Sequence, residues 1–160
     1  MPIHVRPATP ADAGAILALV RALAAYEREP GAVEAKEDGL AAQIASPDPP
    51  FECLLAEVDG EIAGFALFFR NYSTWRGRPG LTLEDLFVLP EFRGRGAGRA
   101  LYAAVAARAV ARGYGRLECA VLDWNEPAHA FYRAMGARPL PDWTTWRLDG
   151  PSLEALGTAR

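Results

Sequence analysis

Apolar and polar positions alternate from 3 to 6, which predicts a short first strand. Thr9-Pro10-Ala11-Asp12 then reads as a helix start: Thr9 can cap, Pro10 suits the first helical position, and Asp12 can answer the cap from the first turn. Ile16, Leu19, Val20 and Leu23 recur at helical spacing, so this helix should run to about Arg28 and break at Pro30-Gly31. A weaker helical segment spans 33–44, with Leu40 and Ile44 on one face. A Pro-rich loop follows at 46–50. Apolar runs at 51–58 and 61–72 flank Asp59-Gly60, a hairpin signal. Residues 73–80 read as a Gly/Pro/Arg loop and 81–88 as a further strand. Residues 97–112 form an alanine-rich helix with Leu101, Val105 and Ala109 in register and Gly113 as its stop. Strand 116–122, a short helix opening at Asn125-Glu126-Pro127, strand 143–148 and a helical turn within 151–160 complete the pattern.

Early strands joined by turns and later ones joined by helices predict one domain, 1–160, of α/β (α+β) class with a mixed sheet. At 160 residues and 51% hydrophobic, the chain can bury a core of useful size. A net charge of −3 gives no basic excess for nucleic acid. The apolar run 62–69 is far too short for a bilayer, and the N-terminus lacks the charged and apolar regions of a secretory signal, so a cytoplasmic setting is expected. The two cysteines, Cys53 and Cys119, lie in strand-like apolar runs without zinc-ligand spacing, so no metal and no disulfide framework are expected.

Val88 to Leu101 carries the chemistry. Arg93-Gly94-Arg95-Gly96-Ala97-Gly98 lies between a strand and a helix. Glycines there free the backbone for positive φ and close ligand approach, and the first N–H groups of the next helix have no internal partner. A pyrophosphate is the natural guest, with Arg93, Arg95 and Arg99 adding charge; on these residues alone a plain turn that needs flexible backbone is the other reading. The stretch is neither a P-loop nor G-x-G-x-x-G.

Here the sequence resembles the GNAT superfamily of acetyl-coenzyme-A-dependent N-acetyltransferases, whose coenzyme loop reads Arg/Gln-x-x-Gly-x-Gly/Ala. It is similar above all to the diamine branch, which acetylates spermidine, spermine and thialysine. The segments that carry this are 3–9, Ala24-Ala25-Tyr26-Glu27, Leu83-Glu84-Asp85 with Phe87-Val88, Trp124-Asn125-Glu126-Pro127, Phe131-Tyr132-Arg133, Gly136-Ala137 and Trp146-Arg147-Leu148. The resemblance implies the GNAT fold: a mixed sheet of about six to seven strands flanked by about four helices. It implies acetyl-CoA as co-substrate, a small-molecule amine as acceptor and a homodimer, while charge and apolar run length give no expectation of a nucleic acid or membrane partner. By the same resemblance, the backbone of Gly94, Arg95, Gly96, Ala97, Gly98 and Arg99 would hold the pyrophosphate. Leu86, Phe87 and Val88 would offer a strand edge to the pantetheine amides, with an N–H near Val88 as oxyanion donor. Asn125, Pro127 and Ala128 would line the coenzyme, and Tyr132 would be the general acid for the leaving thiolate.

An alkyl ammonium, with a pKa of about 10.4, must lose a proton before it can attack. A carboxylate acting through water can take it. Glu84 matches the resembled glutamate, and Asp85 adjoins it; strand alternation sends the two to opposite faces, with Glu84 expected inward. Tyr26 and Glu27 resemble amine-contacting residues, although Glu27 beside Arg28 reads equally as a surface pair. Trp75, Trp124, Trp143 and Trp146 read as core or interface, and His4 and His129 as structural or surface. Ser73-Thr74 and Thr144-Thr145 stand where the diamine branch tends to place acids, which disfavours long polyamines. Arg76 and Arg78 could favour an acceptor that bears a carboxylate. The alternatives are a protein or peptide N-acetyltransferase and a non-catalytic coenzyme-A-binding module.

Overall fold

The computed structural model describes residues 2–159. In chain order the elements are β1 (Ile3–Pro7), α1 (Ala13–Tyr26), α2 (Glu37–Ala45), β2 (Glu52–Val58), β3 (Glu61–Ser73), β4 (Arg78–Val88), α3 (Ala97–Ala111), β5 (Leu117–Glu118), α4 (Glu126–Ala134) and α5 (Gly150–Gly157). They fall into two compact units, one ending at Trp124 and the other starting at Asn125.

The first unit is built on a sheet of order β1-β2-β3-β4-β5, antiparallel through β4 and parallel between β4 and β5. This is the expected mixed α/β sheet, with five strands rather than six to seven. Residues 143–148 form no strand, and 116–122 shrinks to Leu117–Glu118. β-Prone residues specify a strand only where a partner edge takes their N–H and C=O groups. For β5 that edge ends early, because β4 bulges just past Thr82, its last partner to β5. At the other end, the loop expected over 73–80 is a hairpin tip: β3 runs to Ser73 and β4 starts at Arg78. Asp59 and Gly60 turn the β2–β3 hairpin with φ of 56° and 82°, the positive angles that a two-residue turn demands.

The sheet is covered on both faces. Ile16 and Leu19 of α1 pack with Cys53, Leu55, Phe65 and Phe87 on one side. On the other, Ala97, Leu101, Val105 and Ala109 form the buried stripe of α3, which packs on β1 to β4. Leu101 is fully buried, so cutting it to alanine should cost about 3 kcal/mol. The capping box at Thr9 and Asp12 is present, although residues 10–12 make a 3-10 turn and α1 proper begins at Ala13. Asp12 also receives both terminal nitrogens of Arg6, at 2.9 and 3.0 Å, and Arg6 Nε donates to Glu57 at 2.7 Å. The Arg6 guanidinium holds the Asp12 carboxyl well below the usual range. β1, β2 and the start of α1 are thereby tied together.

In the second unit, Asn125 caps α4 by accepting from the Ala128 N–H at 3.3 Å, with a proline in the first turn. Phe131 and Tyr132 meet edge to face, 5.1 Å between ring centres. The turn expected within 151–160 is α5.

Candidate active site

The last residues of β4 form a half-open strand edge. Among the described residues β4 and β5 pair only at Leu81 and Thr82, and from Leu83 to Val88 no described strand lies on the side of β4 away from β3. The hydrogen-bond phase on the other side fixes which peptide groups point there. Leu89 N–H donates to Ala63 C=O at 2.8 Å, and the register pairs Phe87 with Phe65 and Val88 with Gly64. In an antiparallel ladder, bonded and non-bonded pairs alternate. Phe87 therefore bonds across to β3, while Leu86 and Val88 turn their N–H and C=O groups to the open edge. Gly64 permits this close pairing: a Cβ on it would lie 2.4 Å from Phe87 O and 3.0 Å from Val88 Cα.

A β-bulge just upstream sets the direction of the acids. Leu83 pairs with Phe68 and Asp85 with Leu67, so Glu84 is the extra residue. The bulge shifts the side-chain phase of β4 by one. Leu83 shares a face with Phe68, whereas Asp85 and Phe87 share the α1 face with Leu67 and Phe65. The expectation that Glu84 is the inward acid is reversed: Glu84 is exposed and Asp85 half-buried. Burial, and then the charges of Glu84 and Glu27, raise the Asp85 carboxyl to about 6. Burial also raises Glu27. Glu27, Glu84 and Asp85 thus form one cluster of carboxylates.

Aromatic rings and two arginines frame the cluster. Tyr26, at the end of α1, lies 6.4 Å from Phe87 and 6.0 Å from Trp124. Arg28 sits 3.9 Å above the Trp124 ring, and its backbone is left-handed, with φ of 66°. Arg93 lies 5.3 Å over both Tyr26 and Phe87, and its Nε donates to Val88 C=O at 2.8 Å. Trp124 therefore belongs to the site's wall rather than to the core. Its role and that of Arg28 were hidden in the sequence, because neither the ring contact nor the left-handed turn has a signature there. Arg76 and Arg78 are at the other end of β4, beside Gly115, about 20 Å along the strand from Asp85.

The glycine loop has the expected backbone. Gly94 and Gly96 take φ of 76° and 95°, and Gly96 is the N-cap of α3 with no side chain to satisfy the first N–H groups. The N–H groups of Ala97, Gly98 and Arg99 open the helix. Arg95 makes a long ion pair with Asp59, 3.8 Å, and lies 5.9 Å over Phe92. Asn125, Pro127, Ala128 and Tyr132 share α4 in the second unit, with Ala128 and Tyr132 half-buried. Cys53 is buried among apolar side chains and its thiol is pushed up to about 12, which removes it as a nucleophile.

Residues 16–137 match the Acetyltransferase (GNAT) family. The chain belongs to the GNAT family of acetyltransferases. Family members use acetyl-CoA as co-substrate, and this GNAT chain is an N-acetyltransferase acting on amines. It is 38% identical to thialysine N-epsilon-acetyltransferase of Bos taurus, with 96% of each chain covered. It is 41% identical to L-ornithine N5-acetyltransferase of Arabidopsis thaliana, over 68% of this chain and 49% of the relative. Among solved structures, an integron cassette protein from the mobile metagenome of V. cholerae superposes with a TM-score of 0.81 at 22% identity, covering 99% of both chains, and shares the fold. In this GNAT enzyme the matched span takes in Glu84, Asp85, the open edge, the glycine loop and Tyr132.

Proposed function

We propose that this enzyme transfers the acetyl group of acetyl-CoA to the side-chain amine of a small amino acid of the lysine or ornithine type. The observation that carries this reading is the half-buried Asp85, flanked by Glu27 and Glu84, on the strand whose Leu86 peptide groups and Val88 N–H face the open edge. The names of the thialysine and ornithine relatives support the acceptor class.

The residues fit the coenzyme. The open peptide groups of Leu86 and the Val88 N–H suit an amide-bearing arm, and the uncapped first turn of α3 behind Gly94 and Gly96 suits a pyrophosphate, with Arg95 and Arg99 supplying charge. Acetyl-CoA supplies an electrophilic thioester. The Val88 N–H would donate to the thioester carbonyl oxygen, and in the second unit Asn125, Pro127 and Ala128 are the positions that the GNAT resemblance assigns to the coenzyme. At pH 7 only about one in 2,500 alkyl amines of pKa 10.4 is unprotonated, so a proton acceptor matters. Asp85 takes that proton, directly or through water: its raised pKa leaves it ionised at neutral pH yet basic enough to accept. Glu84, exposed on the bulge, and Glu27 attract the ammonium, and Tyr26 and Trp124 wall the pocket beside them. Tyr132 donates to the departing thiolate. Arg28 supplies a cation for the acceptor's carboxylate.

The test is acetyl-CoA-dependent thiol release with lysine, ornithine, thialysine, cadaverine and spermidine as acceptors. Amino acids should be turned over with higher kcat/KM than spermidine. A clear spermidine preference, or no turnover of any amine despite coenzyme binding, contradicts the proposal; the latter is the result expected of a non-catalytic module.

A further inference from the structure

Arg93 opens the glycine loop, and its charge would ordinarily be assigned to a phosphate. Its side chain is engaged elsewhere. Nε donates to Val88 C=O at 2.8 Å, and the guanidinium lies 5.3 Å from the centres of both Tyr26 and Phe87. The Val88 carbonyl is one of the groups that the ladder turns to the open edge. The other end of the same peptide, Leu89 N–H, bonds to Ala63 C=O at 2.8 Å. The Val88–Leu89 peptide is therefore held from both sides: by β3 through its N–H and by Arg93 through its C=O. Fixing that peptide fixes ψ of Val88 and restrains the orientation of the Val88 N–H just before it.

We infer that Arg93 is a positioning residue: it pins the Val88–Leu89 peptide, and with it the oxyanion-donating N–H, while clamping the Tyr26 ring beside Phe87, and it is not a phosphate ligand. One side chain thereby couples three parts of the site: the start of the coenzyme loop, the open strand edge and the amine pocket. The free guanidinium nitrogens add attraction to the two rings but are not what the strut requires. What it requires is a donor at the right reach, and a glutamine amide can supply one without charge.

The inference rests on the proposed acetyl transfer for its kinetic arm only. Arg93→Met keeps length and loses donor and charge, whereas Arg93→Gln keeps a donor and loses charge. If Arg93 positions the oxyanion donor, Arg93→Met lowers kcat by about 100-fold while the calorimetric Kd for coenzyme A stays within about threefold, and Arg93→Gln recovers at least about tenfold of the lost kcat. If Arg93 binds phosphate, both variants weaken coenzyme A by about 10- to 100-fold and kcat at saturation holds, which overturns the inference. Unchanged kinetics in both variants, or equal kcat losses with no recovery in Arg93→Gln, also overturn it. A second arm needs no turnover: amide exchange at Leu89 in the folded, coenzyme-free protein should accelerate by at least about tenfold in Arg93→Met and less in Arg93→Gln. Unchanged exchange contradicts the strut. Should wild type acetylate no amine, the proposed function falls, and Leu89 exchange still decides the role of Arg93.

Discussion

Asp85 and Glu84 are neighbours in sequence, and both were visible as acids in an apolar run. Which of them turns towards α1 was not, because it depends on a backbone event that no side chain announces. The bulge at Glu84 makes that residue the unpaired one and brings Asp85 onto the α1 face beside Glu27. Replacing Asp85 with Asn should lower kcat/KM by about 100-fold or more, the scale of a lost general base, whereas Glu84→Gln should chiefly raise KM for the amine. The same carboxyl leaves a mark on stability. Its pKa is raised in the fold, so its favourable contribution is complete below about pH 4 and is lost as pH rises through about 6. Asp85→Asn should therefore be more stable than wild type at pH 7.5, by at most about 3 kcal/mol, with the gap closing towards pH 4. Thermal scans at the two pH values check this; a variant less stable at pH 7.5 contradicts it. Arg28 tests acceptor choice at the same scale. Arg28→Met should reduce the preference for lysine over cadaverine by about fivefold, as fits a partly exposed ion pair, and leave cadaverine turnover almost intact.

Strands and turns show where pattern suffices and where it fails. The helical spacing of Ile16 and Leu19, the stripe Leu101–Val105–Ala109 and the Asp59-Gly60 turn were legible because each follows from a single local rule. The strand expected at 143–148 was not, because the β-prone run Trp-Thr-Thr-Trp has propensity without a ladder to join. The length of β5 likewise depends on the bulge in β4 rather than on its own residues. Close approach between β3 and β4 has its own test. In Gly64→Ala the new methyl would sit 2.4 Å from Phe87 O, so β4 must move at the very residues that form the open edge. A loss of about 2–3 kcal/mol and a melting point lower by about 5–10 °C are expected, together with a fall in kcat. A fully stable and active Gly64→Ala protein would show that this pairing does not set the edge.

Across the whole molecule, the sequence disclosed the family chemistry more readily than the pocket that selects the acceptor. The glycine loop and the Asn125-Glu126-Pro127 helix start are local signatures, and Gly94 and Gly96 do take the backbone angles that only glycine adopts easily. The wall formed by Tyr26, Phe87, Trp124, Arg28 and Arg93 draws on residues from α1 to the end of the first unit, and only the fold assembles it. Tyr132 lies in the second unit, and its assigned task predicts a pH signature. A cysteine thiol has a pKa of about 8.5 and an unactivated alkyl thiol a higher one, so expulsion of the thiolate needs less help only as pH rises beyond that value. The kcat defect of Tyr132→Phe should be largest near pH 7 and should shrink above pH 8.5; a defect that is constant with pH assigns the phenol to binding instead. The central claim is that Asp85 receives the ammonium proton beside the open edge of β4. The pH dependence of kcat/KM for acetyl transfer from acetyl-CoA to lysine, measured in wild type and Asp85→Asn, tests it most directly. The account predicts an acid limb near pH 6 in wild type that is absent from a variant at least about 100-fold slower. An Asp85→Asn enzyme with wild-type rates and the same acid limb would contradict it.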